Sequence, residues 1–109
     1  MVYKTLLADT PENLIKKYYQ VLLARGIPVE QIILFGSYAK GNAHAGSDVD
    51  IAVVSSVFGK RPFDEMVELS KLTLGIESLI EPHPMHPDDL NDKYDSLATE
   101  IRTYGKRII

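Results

Sequence analysis

Asp48 and Asp50 stand two apart at the entrance to an apolar run, Val49 to Ser55. On a strand, residues at that spacing share a face, so the two carboxylates lie side by side. Side by side they repel, unless a cation sits between them. Magnesium suits such a pair, because it takes one or two carboxylates and completes its shell with water and phosphate oxygens. A pair of such ions can activate an attacking oxygen and stabilise a leaving pyrophosphate. Upstream, Gly36-Ser37 closes a second apolar run. Glycine lets the backbone approach a phosphate closely. A serine at a helix start adds a hydroxyl beside free backbone N–H groups, a setting that favours anions. Lys40 could touch a phosphate, although an exposed lysine in a helical turn is otherwise only solvated. Ser47 caps or braces the loop before Asp48. Alone, Asp-x-Asp reads as a solvated acidic pair and Gly-Ser as a turn. The ordered set is more specific: strand, Gly36-Ser37, Gly41, then Ser47-Asp48-Val49-Asp50 entering a second strand.

These residues need elements to position them. Thr10-Pro11-Glu12-Asn13 starts a helix, with Thr10 as cap and Pro11 at the first helical position. Leu14, Ile15, Tyr18, Val21 and Leu22 follow at helical spacing until Gly26 and Pro28 stop them. Residues 31–35 read as a buried strand, 38–40 as a helical turn, 41–46 as a loop and 49–55 as a second strand. Residues 62–74 read as a helix with Phe63, Met66, Val67, Ser70 and Leu74 on one side. Gly75 ends it, and Ile76 to Ile80 reads as a third strand running up to Glu81-Pro82. His83-Pro84-Met85-His86-Pro87 is too rich in proline for a central strand and reads as a loop. Asp88 to Tyr104 reads as one last helix, with Leu90, Tyr94, Leu97, Ile101 and Tyr104 as an apolar, core-facing stripe. Residues 1–10 show no clear period. Helix, strand, strand, helix, strand, helix suits one small α/β domain over residues 1–109.

Composition narrows the classes. The chain has 109 residues, 45% hydrophobic and 25% charged, which is ordinary for a soluble globular protein with one core. A core of that size leaves room for a partner subunit or a homo-oligomer. The net charge of −3 argues against a broad nucleic-acid face, with Arg102, Lys106 and Arg107 as a small basic patch at most. The absence of cysteine excludes disulfides, zinc-thiolate sites and thiol nucleophiles. No cationic leader precedes a long apolar run, and no apolar run approaches the roughly 20 residues of a membrane span. The expected location is the cytosol, with no membrane contact.

The segment ILFGSYAKGNAHAGSDVDIAVV, within residues 32–54, resembles the signature of the polymerase-beta-like nucleotidyltransferases. The closest resemblance is to their smallest members, the minimal nucleotidyltransferase (MNT) proteins of bacteria and archaea. More loosely, it extends over nearly the whole chain through length and element order. It implies a small mixed β-sheet backed by helices. It implies that Gly36 and Ser37 contact a nucleoside triphosphate, with Lys40 and Ser47 beside them, and that Asp48 and Asp50 hold Mg2+ in a two-metal site. The family also uses a third carboxylate on a later strand, as metal ligand and base for the incoming hydroxyl. Glu81 is the best-placed candidate; Glu77, four residues earlier on the same strand face, is the runner-up.

Family members of this size act beside a separately encoded helical protein, a HEPN-type RNase toxin, and as antitoxins transfer AMP from ATP to one of its tyrosines. The resemblance therefore implies an ATP-using enzyme with a HEPN-type partner. Two other readings keep the site and change the outcome. One is a binding module that neutralises its partner by occlusion. The other is the transferring half of a small-molecule modifying enzyme, such as one acting on aminoglycosides. Beyond this motif, Tyr38 reads as packing rather than base stacking, and His44 lies in the loop between motif halves. His83 and His86, with Glu81 and Asp88 nearby, raise a zinc site, but the intervening prolines favour rigid loop packing. Ile108 and Ile109 beside Lys106 and Arg107 either dock on a partner or fray.

Overall fold

Thr10 remains extended, and its side chain accepts the Asn13 N–H at 3.2 Å. Pro11 follows at the first helical position, where its missing N–H costs nothing. This start launches α1, Pro11–Ala24, in a computed structural model that describes residues 7–109. The first six residues of the aperiodic opening segment lie outside the described ones. Leu14, Ile15, Tyr18 and Leu22 form the buried stripe of α1.

The stripe packs on a four-stranded mixed sheet of β1 (Gln31–Phe35), β2 (Val49–Val54), β3 (Ile80–Met85) and β4 (Lys106–Arg107). The strand order is β3-β2-β1-β4. β1 is antiparallel to β2 and to β4, whereas β2 and β3 are parallel. One face of the sheet carries Ile32, Leu34, Val49, Ile51, Val53 and Ile80, in one core with the α1 stripe, Phe58 and Leu69. The other face carries Ile33, Phe35, Ala52, Val54 and Met85 against Ala98 and Ile101. Burial on both faces explains why β1 reads as an unbroken apolar run rather than an alternating one.

Three expected elements depart from the sequence reading, and one strand is added to it. The third strand is displaced: residues 76–79 form turns, and β3 runs through Pro82 and Pro84. Edge geometry permits this. Leu79 O accepts the Val49 N–H at 2.7 Å and Met85 O accepts the Ser55 N–H at 3.0 Å, so odd positions bond to β2. The two prolines therefore occupy positions whose missing N–H would face away from the sheet.

The second departure is α3, Pro62–Lys71, which ends before Leu74 and turns the expected stripe outward. Phe63 is 77% exposed and Leu74 76%, whereas Leu69 is buried. A short helix offers competing apolar stripes. The one with Leu69 and Leu72 wins because it meets the α1 core, where the Tyr18 hydroxyl donates to Leu69 O at 2.7 Å. Burial drives the Tyr18 phenol well above its usual range, so it stays a neutral donor.

The third departure is the last helix, which is two. α4 (Pro87–Leu90) stops at Asn91, and α5 (Ser96–Tyr104) restarts on Asp95. The Asp95 carboxylate accepts the Leu97 and Ala98 N–H groups at 2.9 and 3.2 Å, a strong N-cap inside the supposed helix. Tyr94 falls in the break and is 87% exposed; Tyr104 is also exposed, leaving Ala98 and Ile101 as the buried pair of α5. After it the chain forms β4, which the sequence reading did not foresee. The Ile108 N–H donates to Ile32 O at 2.9 Å and Ile109 O accepts the Ile32 N–H at 3.2 Å. Both isoleucines pack against the α1-side core instead of fraying. Among the described residues, no helix is long and apolar enough to cross a membrane.

Candidate metal and nucleotide site

β1 and β2 place the two motif halves together. Phe35, the last residue of β1, pairs with Asp50, so Gly36 leaves the sheet beside the Asp50 carboxylate. Gly36 has φ +74°. A Cβ there would meet Asp50 Oδ2 and lie 3.1 Å from its Cγ. Only glycine fits both the left-handed backbone and the close approach. Ser37 then opens α2, Ser37–Lys40, and its hydroxyl makes no hydrogen bond among the described residues. Tyr38 packs against the α1-side core.

Ser47 is buried, and its hydroxyl accepts the His44 N–H at 2.9 Å, bracing the loop that leads into Asp48. Lys40 leans elsewhere: its ammonium pairs with Glu100 at 2.8 Å and sits 5.0 Å from the Tyr104 ring centre. That hydrogen bond to Glu100 raises the lysine above its ordinary value.

The third carboxylate comes from β3. In the parallel register Asp50 pairs with Glu81 and Ala52 with His83. Asp50, Glu81 and His83 each offer a ligand atom, all within 4.8 Å of one another. Burial raises the Glu81 carboxyl above its usual range; a hydrogen bond with Asp50 and the charges of Asp50 and Asp48 add to this, while His83 opposes it. Repelling carboxylates around a partly desolvated point make a setting that a divalent cation would relieve, and the donor set fits one. Asp48, exposed just before β2, lies outside the three-residue cluster. Glu77 is not on the strand: it sits in the turn after α3, its N–H bonded to Thr73 O at 2.9 Å.

His83 is the residue that sequence reasoning set aside as loop packing. Its ring lies 5.2 Å from that of Phe35, and its Nε2 stands 3.8 Å from Asp50 Oδ1. The available signal was Glu81-x-His83, the same two-residue spacing as Asp48-x-Asp50. The flanking prolines hid it. His86 takes no part; its Nδ1 accepts the Asp88 N–H at 3.1 Å and caps α4. Two surface cavities of about 280 and 390 Å³ open near Phe58, at the other end of β2, and neither includes Asp50 or Glu81.

Known structures share this fold. A chain of a toxin–antitoxin complex crystallised with AMP-PNP is 31% identical, with TM-score 0.64, over 90% of this chain and 72% of that one. A chain of the toxin–antitoxin complex MntA–HpeT, in a doubly substituted form, is 28% identical, with TM-score 0.62, over 90% and 72% of the two chains. The complex of a tri-AMPylated Shewanella oneidensis HEPN toxin with an MNT antitoxin shares the fold at 24% identity and TM-score 0.61, over 92% and 72%. No curated protein matches closely. The nucleotidyltransferase domain family matches residues 15–108, nearly the whole chain and all four strands, and the chain belongs to that family.

Proposed function

We propose that this chain transfers AMP from ATP to a hydroxyl of a helical, HEPN-type protein partner and thereby acts as an antitoxin. The observation that carries the reading is the register that sets Glu81 beside Asp50, at the strand end where Gly36 turns. It supplies the third carboxylate that a binding-only module would not need. The AMP-PNP complex at 31% identity supports the nucleotide, and the AMPylated toxin of the Shewanella complex suggests the acceptor class.

Each residue then has a task. Asp48, Asp50 and Glu81 would hold divalent cations, most simply Mg2+, and the chemistry such ions would supply is neutralisation of phosphate charge. Gly36 and Ser37 bring backbone and hydroxyl to the phosphates, while Ser47 holds the loop that presents Asp48. Lys40 reaches the phosphates only by leaving Glu100. Glu81 also stands beside Asp50 where its carboxylate would accept the proton of the incoming hydroxyl. That oxygen bonds to the α-phosphorus as the α–β bridge breaks and pyrophosphate departs. The product is an AMP ester of the partner's hydroxyl.

The test is incubation with α-labelled ATP, Mg2+ and a HEPN-type helical protein, taken from the neighbouring gene where one is found. Label should pass to that protein and should vanish in Asp48→Asn and Asp50→Asn variants. If the variants protect cells as well as the parent does, neutralisation is by occlusion and the enzymatic reading fails. Label found only on small-molecule acceptors would move the function to the aminoglycoside-type reading.

A further inference from the structure

We infer that His83 is itself a metal ligand, so that the cation between Asp50 and Glu81 is held by a mixed nitrogen and oxygen set that favours a transition ion over Mg2+. The inference rests on the metal-site part of the proposed function and concerns which cation that site selects.

The evidence begins with an orphan. The Nε2 of His83 is buried and has no hydrogen-bond partner among the described residues. Its nearest ionic neighbour, Asp50 Oδ1, stands 3.8 Å away, beyond hydrogen-bond reach. A buried nitrogen left unpaired costs free energy, and a cation bound by the neighbouring carboxylates would satisfy this one. The ring is also held in place. It leans on Phe35 at 59° between planes, and it stands between Pro82 and Pro84, whose rings limit the backbone of β3. Packing thus aims the imidazole at the carboxylates.

Distances agree with coordination. A six-coordinate cation with bonds of about 2.1 Å spaces neighbouring donors about 3 Å apart and opposite donors about 4.2 Å apart. The three ligand atoms here span 4.8 Å at most, so small side-chain rotations close them onto one ion. Chemistry then selects the ion. Carboxylates alone suit Mg2+, whereas imidazole suits later, more polarisable divalent ions. Replacing an all-oxygen shell by one with nitrogen biases the site from Mg2+ toward Mn2+, Co2+ or Zn2+.

The test is Mn2+ binding to the full chain at neutral pH, followed by electron paramagnetic resonance. Pulsed measurements should show the modulation of a directly bound imidazole nitrogen. The modulation should persist in His44→Ala and His86→Ala and disappear in His83→Ala and in His83→Asn, the second variant guarding against a folding defect in the first. Mn2+ affinity should fall roughly tenfold or more in the His83 variants, the scale on which even outer-shell partners act. Mg2+ affinity should change far less. Absent nitrogen modulation in the parent protein, or unchanged Mn2+ affinity in both His83 variants, overturns the inference. Label transfer with Mg2+ would then still support the proposed function. Conversely, nitrogen modulation without any label transfer would sink the proposed function and leave His83 a ligand.

Discussion

The two faces of the sheet share every strand yet carry different work. On one face β2 contributes Val49, Ile51 and Val53, sealed by α1 and Leu69. On the other it contributes Asp50, which is partly exposed, then Ala52 and Val54, which pack in one core with Ala98 and Ile101 of α5. Alternation along a single strand thus sends the odd residues to the α1-side core and puts Asp50 on the opposite face, at the end of the α5-side core row of Ala52 and Val54. β3 repeats the division, with Ile80 in the α1-side core and Glu81 and His83 beside Asp50.

If the division holds, neighbouring substitutions should have opposite signatures. Asp50→Asn should lower AMP transfer by about 10²–10³-fold or more, the scale for removing one electrostatic contributor to a transition state. Its thermal midpoint should not fall, because a repelling charge is lost. Measured rates and melting curves on the same preparation check both. Equal loss of activity and stability would show that Asp50 is structural.

One residue on, the signature should reverse. Ile51 is fully buried. Ile51→Ala should cost about 2–5 kcal/mol in denaturant unfolding. The fraction that remains folded should bind cation with near-parent affinity. A large affinity loss at constant folded fraction would mean that the two faces are coupled.

Gly36→Ala probes the seam between the faces. The alanine must adopt a positive-φ, extended backbone that glycine alone takes readily, costing about 1–3 kcal/mol, and its Cβ must displace the Asp50 carboxylate. Modest destabilisation with a clear loss of cation affinity, read by calorimetric titration, is the expected pattern. Unchanged affinity would remove Gly36 from the site.

The site's core was legible because it is local. Gly36-Ser37 follows β1 and Asp48-x-Asp50 enters β2, its antiparallel neighbour, so their spacing alone puts them at one end of a hairpin-like pair. Glu81 was legible only as a best candidate, because its register with Asp50 depends on a parallel pairing that spacing does not encode. His83 was missed for a related reason. A rule against proline in central strands is sound, but β3 is an edge strand, and edge position is a tertiary fact. The outward stripe of α3 and the broken last helix follow the same logic: apolar periodicity permitted one packing, and Tyr18 and the Asp95 cap selected another.

The smallest expected effect concerns Glu81 without metal. Its folded-state carboxyl titrates above the usual value, chiefly through burial and then through Asp50. A raised carboxyl contributes stability below the unfolded-state pKa and loses it as pH rises through the folded value. In chelator, then, the parent protein should lose stability relative to Glu81→Gln as pH climbs from about 4.3 toward neutrality. Saturating Mn2+ or Mg2+ should reverse the order, because the ion binds the parent's ionised carboxylate and stabilises the folded state by mass action. Melting curves of both proteins, with chelator and with cation, across that pH range read the crossover. If Glu81→Gln ranked the same way with and without cation, the carboxylate would belong to the structural face of the comparison and not to the chemical one.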